Sequence, residues 1–88
     1  MKIKKDYVIK QIGKELVIVP IKDEAIRFNG IITVNKTGAF LFEQLQKDDL
    51  TEEQLVERVL DNYDAEEKIV RKDIFDFIKI CQEHLLID

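Results

Sequence analysis

Ile31-Ile32-Thr33-Val34-Asn35-Lys36-Thr37-Gly38-Ala39-Phe40-Leu41-Phe42-Glu43-Gln44-Leu45 changes its apolar period halfway along. Up to Val34 it is a short, β-branched, uncharged run of the kind a strand takes. From Asn35 the apolar residues Ala39, Phe40, Leu41, Phe42 and Leu45 recur at helical spacing through Gln46. Asn35 is placed to cap that helix by accepting a backbone N–H two or three residues on. The chain therefore divides into a strand-forming part before Asn35 and a helix-forming part after it.

Upstream, Tyr7 to Ile12 and residues 16–20 are two further strand-like runs around Gly13, Lys14 and Glu15. Gly13 suits the first central position of a type II′ hairpin turn, and a slightly longer loop also fits. Pro20 lacks an N–H and belongs at a strand end or on an edge. Residues 25–28 and 31–34 flank Asn29 and Gly30, a pair suited to a type I′ turn, so a second hairpin is expected, with Lys22, Asp23 and Glu24 as a loop tip. Downstream, Thr51 and Gln54 form a capping-box pair ahead of Leu55, Val56, Val59, Leu60 and Tyr63. Asp64 and Glu67 suggest a less usual box opening a third helix of some 20 residues, about 30 Å long, with Val70, Ile74, Phe77, Ile78, Cys81 and Leu85 on one face and enough reach to cross the sheet. The expectation is a single α+β domain over residues 1–88. It has an N-terminal antiparallel sheet of three to four strands followed by three helices.

At 88 residues, 45% hydrophobic and 36% charged, the chain has the material for one packed core. The longest apolar run, residues 16–21, is strand-sized and contains Pro20, so no membrane span or signal segment is expected and the location should be cytoplasmic. The net charge of −4 is unevenly spread: residues 1–36 hold eight basic side chains against four acidic, and residues 37–88 hold six against fourteen. Helices from the acidic part would meet a phosphate backbone with like charge, which argues against nucleic acid.

Catalytic chemistry finds little support. One cysteine, Cys81, and one histidine, His84, exclude a disulfide and the usual Cys/His metal sites. Cys81 falls on the apolar stripe of the third helix, as a structural thiol with a raised pKa would. His84 suits the end of that helix. Most carboxylates fall opposite apolar stripes, where solvated surface is the ordinary outcome. Gly13, Gly30 and Gly38 are too scattered to cradle phosphates, so no cofactor is expected. Phe28, Phe40, Phe42, Phe75 and Phe77 fit a core better than a base-stacking platform. What remains is the strand 31–34, which carries neither charge nor proline, the usual guards against pairing with another chain. If it is an edge it can accept an extended guest; if it is central its apolarity is ordinary.

The run from Phe28 to Leu45, with its Phe28-Asn29-Gly30 turn, its strand ending at Val34-Asn35 and its Thr37-Gly38-Ala39 helix start, resembles the central signature of the PqqD-like family. The hairpin before it and the helices after it also fit, over roughly residues 6 to 87. Val34 stands where leucine is more usual and Phe42 where tryptophan is common, both conservative in volume. The resemblance implies a winged-helix-like, non-catalytic recognition domain. Such a domain captures the leader of a ribosomally made precursor peptide as an added β-strand and presents it to a modifying enzyme, often a radical S-adenosylmethionine protein. It implies a peptide-binding strand at Ile31, Ile32, Thr33 and Val34 with Asn29 and Gly30 at its entry, walled by the last helix through Ile69, Asp73, Phe77 and Ile80. Lys10, Lys14 and Arg27 suggest attraction for an acidic leader. The alternatives are a winged-helix-like DNA binder or a structural module that dimerises through the same strand edge.

Overall fold

Three strands precede three helices in the computed structural model, which describes residues 1–21 and 32–87. β1 (Tyr7–Ile12) and β2 (Glu15–Pro20) pair antiparallel from Tyr7 opposite Pro20 to Ile12 opposite Glu15, leaving Gly13 and Lys14 as a two-residue turn. Gly13 has φ +62° whereas Lys14 has no positive φ. That combination fits type II′, whose twist matches the flanking strands, and not type I′, which needs both central residues positive. β3 (Ile32–Val34) pairs antiparallel with β2, Leu16 opposite Val34 and Ile18 opposite Ile32. The order β1-β2-β3 puts β3 on the outside of the described sheet. Pro20 ends the central strand, beyond the rungs that β3 covers, so its missing N–H breaks none of them. The expected second hairpin, with its arm at 25–28 and its turn at Asn29 and Gly30, lies outside the described residues, as does Ile31.

Local chemistry sets the first two helix starts. For α1 (Lys36–Lys47), Asn35 Oδ1 accepts from the Gly38 N–H at 2.8 Å. For α2 (Glu52–Asn62), Thr51 Oγ1 accepts from the Gln54 N–H at 3.1 Å while Gln54 Oε1 accepts from the Thr51 N–H at 2.9 Å, a complete capping box. α3 (Glu67–Glu83) departs from expectation: Glu66 is its N-cap, without a side-chain hydrogen bond, and the Asp64–Glu67 box does not form. Glu67 is the first helical residue, a position from which it cannot close the box, and its carboxylate accepts from Arg71 Nε at 3.1 Å instead. The helix is 17 residues long, about 26 Å, and packs chiefly on α2 and α1 instead of crossing the sheet.

One core joins the two halves. Ile3, Tyr7, Ile18 and Ile32 from the sheet side meet Leu41, Phe42 and Leu45 of α1, Leu55 and Val59 of α2, and Val70, Ile74, Phe77 and Cys81 of α3. Phe42 and Phe77 are buried, and Phe40 packs against the core with its ring edge-on to Tyr63 at 5.2 Å. Phe75, 60% exposed, departs from the core reading of the phenylalanines, and Phe28 lies outside the described residues.

Candidate functional site

A groove of about 240 Å³ opens between the end of β3, the start of α1 and the outer face of α3. β3 contributes Thr33 and Val34. Asn35, Thr37, Gly38 and Leu41 come from the first turns of α1, and Asp73, Asp76, Phe77 and Ile80 from α3. Its floor is apolar, since Leu41 and Phe77 are nearly buried and Val34 packs against the core. One side is a strand edge: β2 occupies one flank of β3, and no described strand pairs with the other. Extended backbone at such an edge presents N–H and C=O groups that a further strand completes.

The close junction of β3 and α1 has a specific cause. A Cβ on Gly38 would lie 3.0 Å from Val34 Cβ, so glycine lets the first turn of the helix sit this tightly on the preceding strand, where any other residue would require the strand to give by a few tenths of an ångström. On α3, residues 69, 73, 76, 77 and 80 share one face by helical spacing. Asp73, Phe77 and Ile80 line the groove; Ile69, 56% exposed, lies one turn beyond its lining. Ile32 belongs to the edge strand but turns its side chain into the core. Asn35, Thr37, Gly38, Leu41 and Asp76 join the site without having been expected there from the sequence. The signal for Asp76 is its position three after Asp73 on the same face. The signal for the α1 residues is that their helix starts two residues after the strand ends.

The electrostatics of the lining are acidic. Asp76 Oδ2 accepts from Lys72 Nζ at 2.9 Å, and this contact holds the Lys72 ammonium above its ordinary range. Asp73 makes no hydrogen bond or ion pair among the described residues. No described basic side chain lines the groove; Lys14 and Lys36 border an adjoining depression beside the hairpin tip, which shares Thr33, Val34 and Asn35 with the groove, and Lys10 borders neither. The acidic-leader expectation therefore finds its cations outside the groove, and Arg27 lies outside the described residues. Cys81 lies in the core with no exposed surface, and burial alone pushes its thiol up to about 12. A thiol so shifted is held in its protonated form near neutral pH. Among the described residues no group of His, Cys, Asp and Glu is arranged to hold a metal ion.

Comparison with known proteins adds three findings. A family model described as coenzyme PQQ synthesis protein D (PqqD) matches residues 15–87. The solved structure of TbiB1 in complex with the TbiA(beta) leader peptide superposes with a TM-score of 0.69 at 19% identity, covering 100% of this chain and 95% of that one. Lasso peptide synthetase B1 complexed with the leader peptide gives a TM-score of 0.63 at 13% identity, covering 93% and 89%. At these identities the likeness is one of fold. No curated protein matches the chain.

Proposed function

This chain belongs to the PqqD family, and from that premise we propose that it is a non-catalytic module that captures the leader segment of a ribosomally made precursor peptide as a strand added to β3. The observation that carries the reading is the union of a strand flank that no described strand pairs with and an apolar-floored groove at the same place. Main-chain hydrogen bonds along the flank supply affinity that tolerates sequence, and alternate side chains of the guest enter the groove and supply selection. Docking orders the guest, so at least one apolar anchor on Phe77, Leu41 and Ile80 must offset the lost entropy. Two solved proteins of this fold are complexes with leader peptides, which supports the same occupant here.

Thr33, Val34, Asp73, Phe77 and Ile80 are the contact residues of this reading, with Ile32 through its backbone and Ile69 where a longer guest continues along α3. Asn29, Gly30 and Ile31 would extend the strand at its entry. The second partner is the enzyme that modifies the presented peptide, a radical S-adenosylmethionine protein by family resemblance, working in the cytoplasm. Among the described residues no helix is long and apolar enough to cross a membrane. DNA binding is disfavoured because Arg71 and Lys72, two of the four cations on α3, are engaged by Glu53, Glu67 and Asp76. Self-pairing through the β3 flank is the competing use of the same edge, and a bound leader should displace it.

The test is a titration of isotope-labelled protein with synthetic peptides spanning short reading frames encoded beside the gene. A binding peptide should shift the amides of Ile32, Thr33 and Val34 together with those of Asp73, Phe77 and Ile80, and Ile80→Glu should abolish the shifts while leaving the fold intact. Shifts confined to β1, or to the exposed face around Phe75, would place the peptide elsewhere and end the strand-addition reading.

A further inference from the structure

We infer that the peptide held in the groove carries a cationic side chain, arginine in preference to lysine, that meets Asp73 and Asp76 beside an apolar side chain seated on Phe77 and Ile80. This rests on the docking reading above and deepens it, because it names the chemistry the groove selects. The described lining holds two carboxylates and no basic side chain. Among the described residues Asp73 makes no hydrogen bond or ion pair and feels Lys72 only at longer range, and Asp76 is held by Lys72 alone, in an exposed i,i+4 pair that an incoming cation readily shares. Opposing this, the N-terminus of α1 faces the same groove with about half a positive charge, but Asn35 accepts one of its free N–H groups. Lys72 offsets one of the two carboxylate charges, and the other still exceeds that half charge, so the lining stays net negative and disfavours an acidic guest.

The spacing favours a planar fork over a point charge. Asp73 and Asp76 are three residues apart on one helix face, so their Cβ atoms lie about 5–6 Å apart. A guanidinium, with donors on two edges, can engage both carboxylates at once, whereas an ammonium satisfies one well. A strand laid along β3 also covers the acids from solvent, which strengthens the attraction relative to a bare surface pair.

The probes are fluorescein-labelled synthetic peptides on one alternating Leu/Thr frame, with Arg, Lys, Gln or Glu placed at each position in turn. They are titrated with the full chain by fluorescence anisotropy. At one position Arg should bind about three- to tenfold more tightly than Glu, with Gln between, and raising the salt to about 0.5 M should shrink that ratio. Asp73→Asn should bring the Arg-to-Glu ratio towards one, Asp73→Glu should keep it, and Glu57→Gln, which removes an equal charge from exposed α2, should leave it unchanged. Peptides that bind at the β3 edge without charge preference, or with preference for Glu, overturn this inference and leave strand docking standing. Failure of every peptide to bind overturns both.

Discussion

Val34 and Gly38 show how one missing methyl group shapes a binding site. Gly38 sits in the first turn of α1, where alanine would ordinarily improve the helix by up to about 1 kcal/mol. The added Cβ would meet Val34 Cβ at 3.0 Å and Val34 Cγ1 at 3.4 Å. Val34 Cβ is fixed to the β3 backbone, so relief requires the strand to move and not merely a rotamer change. Gly38→Ala is therefore expected to cost about 1–2 kcal/mol net, read as a lower urea midpoint with an unchanged slope. A raised midpoint would show that β3 yields easily and that the groove wall is soft. Cys81, by contrast, is a thiol that burial holds in its protonated form, and it acts as a small apolar filler of the core.

α3 is the element whose two ends obey different rules. Its N-terminus has no side-chain cap, but Arg71 ties its first turn to α2 through Glu53 Oε1 at 2.7 Å and Glu53 Oε2 at 3.1 Å. The same contact holds the Glu53 carboxyl below its ordinary range. At the other end the Leu86 N–H donates to Cys81 O at 2.8 Å and the Leu85 N–H to Gln82 O at 3.2 Å, the paired bonds of a Schellman stop. That motif needs a left-handed residue, and here it is Leu85, with φ +60° and 66% exposure. A leucine in this conformation costs roughly 1 kcal/mol that glycine does not. Leu85→Gly should accordingly raise stability by about 0.5–1 kcal/mol, measured by thermal or urea unfolding. Loss of stability would mean that the exposed leucine makes a contact outweighing its backbone strain.

For the molecule as a whole, the Schellman stop matters because of where it sends the chain. Leu86 turns into the core with no exposed surface, and Ile87 forms a β-bridge with Ile3. The Lys4 N–H donates to Leu86 O at 2.9 Å and the Ile3 N–H to Leu45 O at 3.0 Å, so the first and last described segments close over the end of α1. Gln46 Nε2 adds a bond to Tyr7 O at 2.7 Å, fixing α1 to the sheet. Leu86→Ala would open a cavity at this clasp and cost about 2–4 kcal/mol, a large share of the stability of so small a domain. The melting temperature should fall by roughly 10–25 °C. A fall of only a degree or two would mean that the clasp is ornamental and that the sheet and helices hold together without it.

Much of this fold is legible in the amino-acid sequence because it is written in short-range interactions. The Gly13 turn, the Asn35 cap and the Thr51–Gln54 box each involve groups within three residues of one another, and the change of period at Asn35 separates sheet from helices. An edge role for β3 and an α3 wall at Asp73, Phe77 and Ile80 are expected from family likeness, because composition by itself fits an edge and a central strand equally. Sequence pattern misplaces the start of α3 because Glu67 is drawn to Arg71, and it sets Leu85 on the apolar face when that leucine is the exposed, left-handed residue that ends the helix. The second cannot be read locally: the burial of Leu86 and the bridge from Ile87 to Ile3 compensate a strained leucine from across the molecule. The acidic character of the groove likewise arises only when α3 is brought beside β3 and α1, since charge along a chain says nothing about which charges share a cavity.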